Sequence, residues 1–239
     1  IHPEHRGCRI FHAALCEKIG DHSNAVKDLT AVIEADRAHG KGEGEGEDAW
    51  GVYLQRSGVF AKLGEHAKAL ADLGAAIALL RGARGDDKGL AQALYQRGMC
   101  HKGLGAWERA AQDFSEALAL VRGSAQGGAG DLLYSLLHHR GHCYRKLGNF
   151  NLSLQDYSAL IDALEQQAST PALVPLLVRA HNNRAFVLAQ TNQNSEAIEE
   201  YTKAIQLEAQ SARLASSSAP GPAHGNNHGT QAQAHAYHN

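Results

Sequence analysis

The stretch QRGMCHKGLGAWERAAQDFSEAL, residues 96–118, decides the fold. Gly98 is a small residue that lets a second helix come close, and His101, three places on, shares its helical face. Leu104-Gly105 then punctuates the run, because glycine adopts the left-handed dihedrals that end a helix. Beyond the turn, Ala110, Phe114 and Leu118 recur every four residues, which is the period of a helix and not the alternation of a strand. The stretch predicts two helices joined by a tight turn, each with one apolar face.

The pattern occurs five times. Clear copies are QRSGVFAKLGEHAKALADLGAAI (55–77) and HRGHCYRKLGNFNLSLQDYSALI (139–161). Weaker copies are FHAALCEKIGDHSNAVKDLTAVI (11–33) and NRAFVLAQTNQNSEAIEEYTKAI (183–205). The turn residues Gly20, Gly64, Gly105, Gly148 and Asn192 lie 41 to 44 residues apart. Small residues precede them at Ala13, Ser57, Gly98, Gly141 and Ala185. Second-helix apolar positions align at Leu29, Leu73, Phe114, Tyr157 and Tyr201, and four places on at Ile33, Ile77, Leu118, Ile161 and Ile205. Self-similarity at this period predicts a solenoid in which each unit buries its apolar face on its neighbours.

The register of small residue, packed residue, Gly, Ala, large apolar residue and Ala resembles the tetratricopeptide repeat, from about Arg6 to Ala209. The resemblance implies an all-α, right-handed superhelical solenoid of helix-turn-helix repeats, at about 6–39, 50–82, 91–123, 134–167 and 178–210. The family's period is about 34 residues and its repeat closes with Pro. Here Arg37, Arg81, Arg122, Glu165 and Ala209 stand at that place, so longer second helices followed by inserted loops are expected. The inserts AHGKGEGEGED (38–48), RGARGDDKG (81–89), RGSAQGGAGD (122–131) and EQQASTPALVP (165–175) all fall between repeats, on one edge of the array. The tail, 211–239, is low in apolar residues and is expected to be disordered.

A second regularity is one of charge. Arg56, Arg97, Arg140 and Arg184 precede the small residue, and Asp28, Asp72, Asp113, Asp156 and Glu200 precede the large residue of the second helix. A planar guanidinium grips a carboxylate bidentately, so structural ion pairs between helices of the same or adjacent repeats are expected.

Lys plus Arg, 23, nearly balance Asp plus Glu, 25, which leaves no excess of basic charge for broad nucleic-acid binding. No apolar run approaches the ~20 residues a membrane span needs. Cys8, Cys16, Cys100 and Cys143 form no CxxC pair and fall on first helices, where buried free thiols are expected. The chain begins IHPEHRG with no leader-like segment, and a longer parent protein is expected. These features favour the cytoplasm.

In the tetratricopeptide class the first helices line the concave face. The resemblance therefore implies a partner-binding groove that includes Phe11, Leu54, Tyr95, Met99, His138, His142, Asn182, Asn183 and Phe186, with Lys62, Lys102 and Arg145 as a basic stripe. Such a surface suits a protein or peptide carrying acidic residues. The acidic C-terminal tails of Hsp70 and Hsp90 are not the expected ligand. The places of that family branch's clamp hold Ile10, Ala14, Gln55, Gln92 and Gln96, and Arg179 with Asn183 is an isolated match. In HHRGHC (138–143), His138 and His142 have zinc spacing but no neighbouring acid or third ligand, so no metal and no cofactor are expected. GKGEGEGED lacks the ending of a nucleotide loop and no nucleophile–base set stands out, so no enzyme activity is expected. The function expected is that of a scaffold or adaptor. The wording of the copies is also similar to that of long tetratricopeptide proteins of ciliary axonemes and transport trains. That implies an alternative: a structural segment of a large, ciliary or cytoskeletal assembly that uses its convex face and loops.

Overall fold

The structure, a computed structural model, describes residues 3–38, 49–82, 86–123, 130–167 and 170–217. Among them there are ten α-helices, in five pairs. The pairs are α1 (Pro3–Lys18) with α2 (His22–Ala38), α3 (Ala49–Lys62) with α4 (His66–Gly82), and α5 (Asp87–Gly103) with α6 (Trp107–Gly123). Next come α7 (Gly130–Lys146) with α8 (Phe150–Glu165), and α9 (Val174–Gln190) with α10 (Asn194–Ser217). A single 3-10 turn, Pro171–Leu173, leads into α9. Each first helix packs on its own second helix and on the second helix before it, so the pairs stack into a right-handed superhelical solenoid.

The intra-pair turns are alike at the level of single hydrogen bonds. Gly20, Gly64, Gly105 and Gly148 have φ between 73° and 83°, and Asn192 has φ 61°. At the third turn the Gly105 amide donates to the Lys102 carbonyl and the Ala106 amide to the His101 carbonyl. This is the crossed pair that satisfies the carbonyls at a helix end. The same two bonds recur at the other four turns. Asparagine is the side-chain-bearing residue that best tolerates this conformation, which is why Asn192 can replace the glycine.

Within a pair, the small residue faces the large one sixteen positions on, and their sizes compensate. A Cβ added to Gly98 would sit 2.6 Å from the Phe114 ring, and one added to Gly141 would sit 3.2 Å from the Tyr157 ring. Where the second helix carries Leu29 or Leu73, the first carries Ala13 or Ser57 instead. Leu29, Leu73, Phe114 and Tyr157 are all fully buried. Apolar clusters run from the first pair through the last with no single centre, as expected when each unit touches only its neighbours.

The recurring arginines of the pattern act as rivets. Arg56 grips Asp72 with Nε at 2.8 Å and Nη2 at 2.7 Å. Arg97 grips Asp113, and Arg140 grips Asp156, in the same way. Arg184 donates from Nε and Nη2 to Glu200, which also accepts from His181 and Lys203. Burial alone would raise Glu200, but the bonds from Arg184, His181 and Lys203 outweigh it and hold its carboxyl down at about 2. The third guanidinium nitrogen reaches back one repeat: Arg56 Nη1 to Thr30 Oγ1, Arg140 Nη1 to Ser115 Oγ, and Arg184 Nη1 to Ser158 Oγ. In the first pair His12 stands at the arginine's place, and it shares Asp28 with Arg9.

Four details differ from the sequence-based expectation. The first helices α5, α7 and α9 start about four residues ahead of the repeat boundaries. For α5 the cause is Asp86, whose carboxylate accepts from the Gly89 amide. The long period is therefore shared between first and second helices. The last helix runs to Ser217, past the expected start of a disordered tail at 211, because SARLASS continues with good helix formers. Residues 218–239 lie outside the described residues. Cys8 is exposed, unlike buried Cys16, Cys100 and Cys143, because among the described residues no other helix covers that side of α1.

Candidate partner-binding groove

First helices meet one another across repeats: α3 touches α5 and α5 touches α7, more closely than any two second helices do. That places α3, α5, α7 and α9 along the inner, concave side. Near their N-terminal ends lies a cleft of about 680 Å³. Trp50 and Leu54 of α3, Tyr95 of α5, Leu132 of α7, and Leu120 and Val121 of α6 give it apolar walls. Asp86, Asp87, Lys88 and Asp131 stand at its rim. Its size and apolar walls suit an inserted side chain or a short helical turn.

Further along the first helices the groove becomes basic. Lys102 Nζ lies 3.2 Å from His139 Nδ1, and Asn183 Nδ2 lies 3.4 Å from His138 Nδ1. The His139 ring stacks on Phe114 and leans on Tyr95, each at about 6 Å between centroids. His142 stacks on Trp107 at 5.7 Å, and Lys146 Nζ lies 5.9 Å from the centroid of that indole ring. The Arg145 guanidinium lies 4.8 Å above the Phe186 ring. Among the described residues, none of Lys102, Arg145, Lys146 and Arg179 is within ion-pair reach of an acid. The rivet arginines, by contrast, are each spent on a carboxylate.

This environment keeps the three histidines neutral. Burial holds His138 down at about 4, with Arg179 and Lys102 adding to the effect. Burial, then Lys102 and the neighbouring histidines, holds His139 at about 3. Burial, then Arg145 and Lys102, holds His142 at about 4. Burial also lowers Lys102 itself. The His142 Nδ1 and Arg145 Nε atoms are shielded from solvent and have no hydrogen-bond partner. The groove thus offers unneutralised positive charge beside neutral imidazole rings that can donate or accept a hydrogen bond.

The residues singled out in the sequence fall into three groups. Leu54 and Tyr95 line the cleft, with Met99 packed alongside on α5. Lys102, His138, His142, Asn183, Arg145 and Phe186 come together over α5, α7 and α9, with Asn182 exposed next to them. Two stand apart. Phe11 is exposed on α1: its counterparts Gln96, His139 and Asn183 contact the first helix of the pair before, and among the described residues no helix packs on that side of α1. Lys62 pairs with Glu17 at 2.6 Å and is not a free cation. Sequence reading missed Trp50, Trp107, Leu120, Val121 and Leu132, which enter the surface only through inter-repeat packing. Among the described residues, no group of three or more His, Cys, Asp or Glu is placed to hold a metal, and no helix is long and apolar enough to cross a membrane.

Two family models, both described as tetratricopeptide repeat, match residues 51–123 and residues 134–163 with 178–211, together more than half of the chain. The chain belongs to the tetratricopeptide repeat family. No curated protein sequence matches it significantly. Among solved structures it is similar to MamA, at 16% identity and TM-score 0.67, over 87% of this chain and 94% of MamA. It is similar to a protein of TPR-like, nearly identical repeats from Podosopora anserina, at 15% identity and TM-score 0.72, over 89% and 99% of the two chains. It also resembles the apo form of RapI, at 13% identity and TM-score 0.73, over 89% of this chain and 73% of RapI. At these identities the likeness is one of fold.

Proposed function

We propose that this tetratricopeptide array works as a non-enzymatic scaffold or adaptor and receives an acidic segment of a partner protein along its concave groove. Arrays of this family hold other proteins, and the finer assignment rests on one observation. Lys102, Arg145 and Arg179 line one side of the groove without acidic partners among the described residues, beside an apolar cleft walled by Trp50, Leu54 and Tyr95. An extended or helical peptide fits if it places an apolar side chain in the cleft and carboxylates over α7 and α9. The rivets keep successive helices in fixed register, so the groove is preformed and binding orders little of the scaffold.

Crosslinking with mass spectrometry in native extract would name the partner and the contacted helices together. The paired changes Tyr95→Ala with Met99→Ala, and Lys102→Glu with Arg145→Glu, are then each expected to weaken that partner about tenfold or more. The helical circular-dichroism signal should stay unchanged. Undiminished affinity in both folded variants would remove the groove assignment.

The second reading, a structural segment in a large assembly such as a cilium or transport complex, would use the convex second helices, where Leu152 of α8 is an exposed apolar residue away from both ends. Crosslinks confined to the convex second helices and inter-repeat loops, with a tagged chain concentrated on such a structure, would support it over the groove.

A further inference from the structure

The rivet arginines are spent on carboxylates: Arg56, Arg97, Arg140 and Arg184 each grip an acid of their own pair. Five residues past the rivet position the repeats differ. Glu17, Ala61 and Ala189 stand there in the first, second and fifth repeats, but Lys102 and Arg145 stand there in the third and fourth. The two cations therefore sit at matching places on successive first helices and follow no general pattern of the repeat. Both are partly buried, and among the described residues neither has an acid within ion-pair reach.

Neutral groups orient them instead. Lys102 Nζ lies 3.2 Å from His139 Nδ1. The Arg145 guanidinium lies 4.8 Å over the Phe186 ring, beside the Tyr157 phenol. An ammonium only donates, so His139 Nδ1 is the acceptor and the proton of this neutral ring sits on Nε2. Asn183 fixes His138 in the same way, because its Nδ2 donates to His138 Nδ1 across 3.4 Å. Each ring so fixed keeps one N–H to give. Lys102 and Arg145 both act on His142, and Arg179, exposed on α9, adds a third positive charge beside His138 and His139. Cations held by neutral partners keep their full charge for an anion from outside the chain.

A carboxylate brings one charge and two oxygens. A phosphoryl group brings a charge of about −1.5 to −2 at pH 7 and three acceptor oxygens, and it binds guanidinium and ammonium groups through charge-assisted hydrogen bonds. It is the anion that matches several neighbouring cations set among ring N–H donors. Resting on the groove reading above, we propose that Lys102, Arg145 and Arg179 receive a phosphoryl group on a Ser, Thr or Tyr of the partner segment, so that binding in the groove depends on phosphorylation of the partner. A segment with a plain hydroxyl at that place still fills the apolar cleft but leaves these cations unmatched.

The test has two arms. In the first, the full chain with nitrogen-15-labelled histidines is titrated at constant ionic strength with N-acetyl-O-phosphoserine amide and, separately, with N-acetylglutamate amide. The ring signals of His138, His139 and His142 should shift saturably, with half-saturation at least about fivefold lower for the phosphoserine amide. Lys102→Gln with Arg145→Gln should raise that half-saturation about tenfold, Arg179→Gln should raise it less, and Lys18→Gln, an exposed change on α1, should leave it alone. Circular dichroism checks the fold, and Arg179→Gln at its exposed site carries the test if the double variant unfolds. In the second arm, the partner found by crosslinking is treated with phosphatase and should lose about tenfold or more in affinity. No saturable shift, an equal response to the glutamate amide, or a response untouched by the folded variants would overturn the phosphoryl site. A partner that keeps its affinity after phosphatase, yet loses it with Tyr95→Ala and Met99→Ala, would overturn the phosphoryl site and leave the groove standing. A partner indifferent to both groove variants would remove the groove and the phosphoryl site together.

Discussion

The contact between Gly98 and Phe114 shows how a single residue sets the distance between two helices. The ring leaves no room for a Cβ on Gly98. Gly98→Ala therefore forces the ring or the helix to move, an overpacking cost of about 1–3 kcal/mol. Phe114→Leu restores the combination that the first two repeats use, Ala13 with Leu29 and Ser57 with Leu73. The double variant is expected to be more stable than the sum of the two single losses, with a coupling that urea denaturation would measure. Additive losses would mean that the two side chains do not meet. The histidines of α7 give a second residue-scale expectation. In an unfolded chain a histidine takes its proton near pH ~6.5. In the fold His138, His139 and His142 do so at about 4, 3 and 4. Between those values the unfolded state binds more protons, so the stabilisation is complete above the unfolded value and drains as pH falls. The urea midpoint should decline from about pH 7 toward pH 5, and the triple His→Gln variant should flatten that decline. An equally steep decline in the variant would assign it to other groups.

At the scale of the helix pair, the turn is the clearest test of how much the sequence dictates. Gly105 holds φ 73° to close the crossed hydrogen bonds that end α5. Gly105→Ala should cost about 1–2 kcal/mol through left-handed strain alone, while Asn192→Gly at the fifth turn should be neutral or mildly stabilising. Thermal denaturation of the two variants checks the contrast, and equal losses would contradict it. These turns, the small-to-large pairing and the sixteen-residue Arg–acid spacing were legible because each is local to one pair and repeats in register. The true starts of α5, α7 and α9 were not, because a cap such as Asp86 lies in a Gly-rich insert that reads as loop. The cleft was half legible. Leu54 and Tyr95 follow from helix periodicity, but Trp50, Leu120 and Leu132 join them only through the packing of three successive pairs. The end positions misled for the same reason. Phe11 and Cys8 have the pattern of packed or groove residues, yet both are exposed, because among the described residues no helix covers that side of α1.

On the scale of the whole array, stability is a sum of pair terms and junction terms, because contacts join only neighbouring pairs. The central pairs have a junction on each side, whereas α1–α2 and α9–α10 have one. Opening should therefore begin at the ends, and amide protons of α5–α8 should exchange last. A junction lesson follows for the last pair. Ala204, on α10, is buried and sits where Ala76 and Ala117 sit in the central pairs. Ala204→Asp buries a charge at the α9–α10 contact and is expected to abolish exchange protection in α10 and much of α9. Protection in α5 and α6 should persist, since their own junctions are untouched. Hydrogen–deuterium exchange resolved by mass spectrometry distinguishes this from a two-state globule, in which the same change would speed exchange in every helix alike.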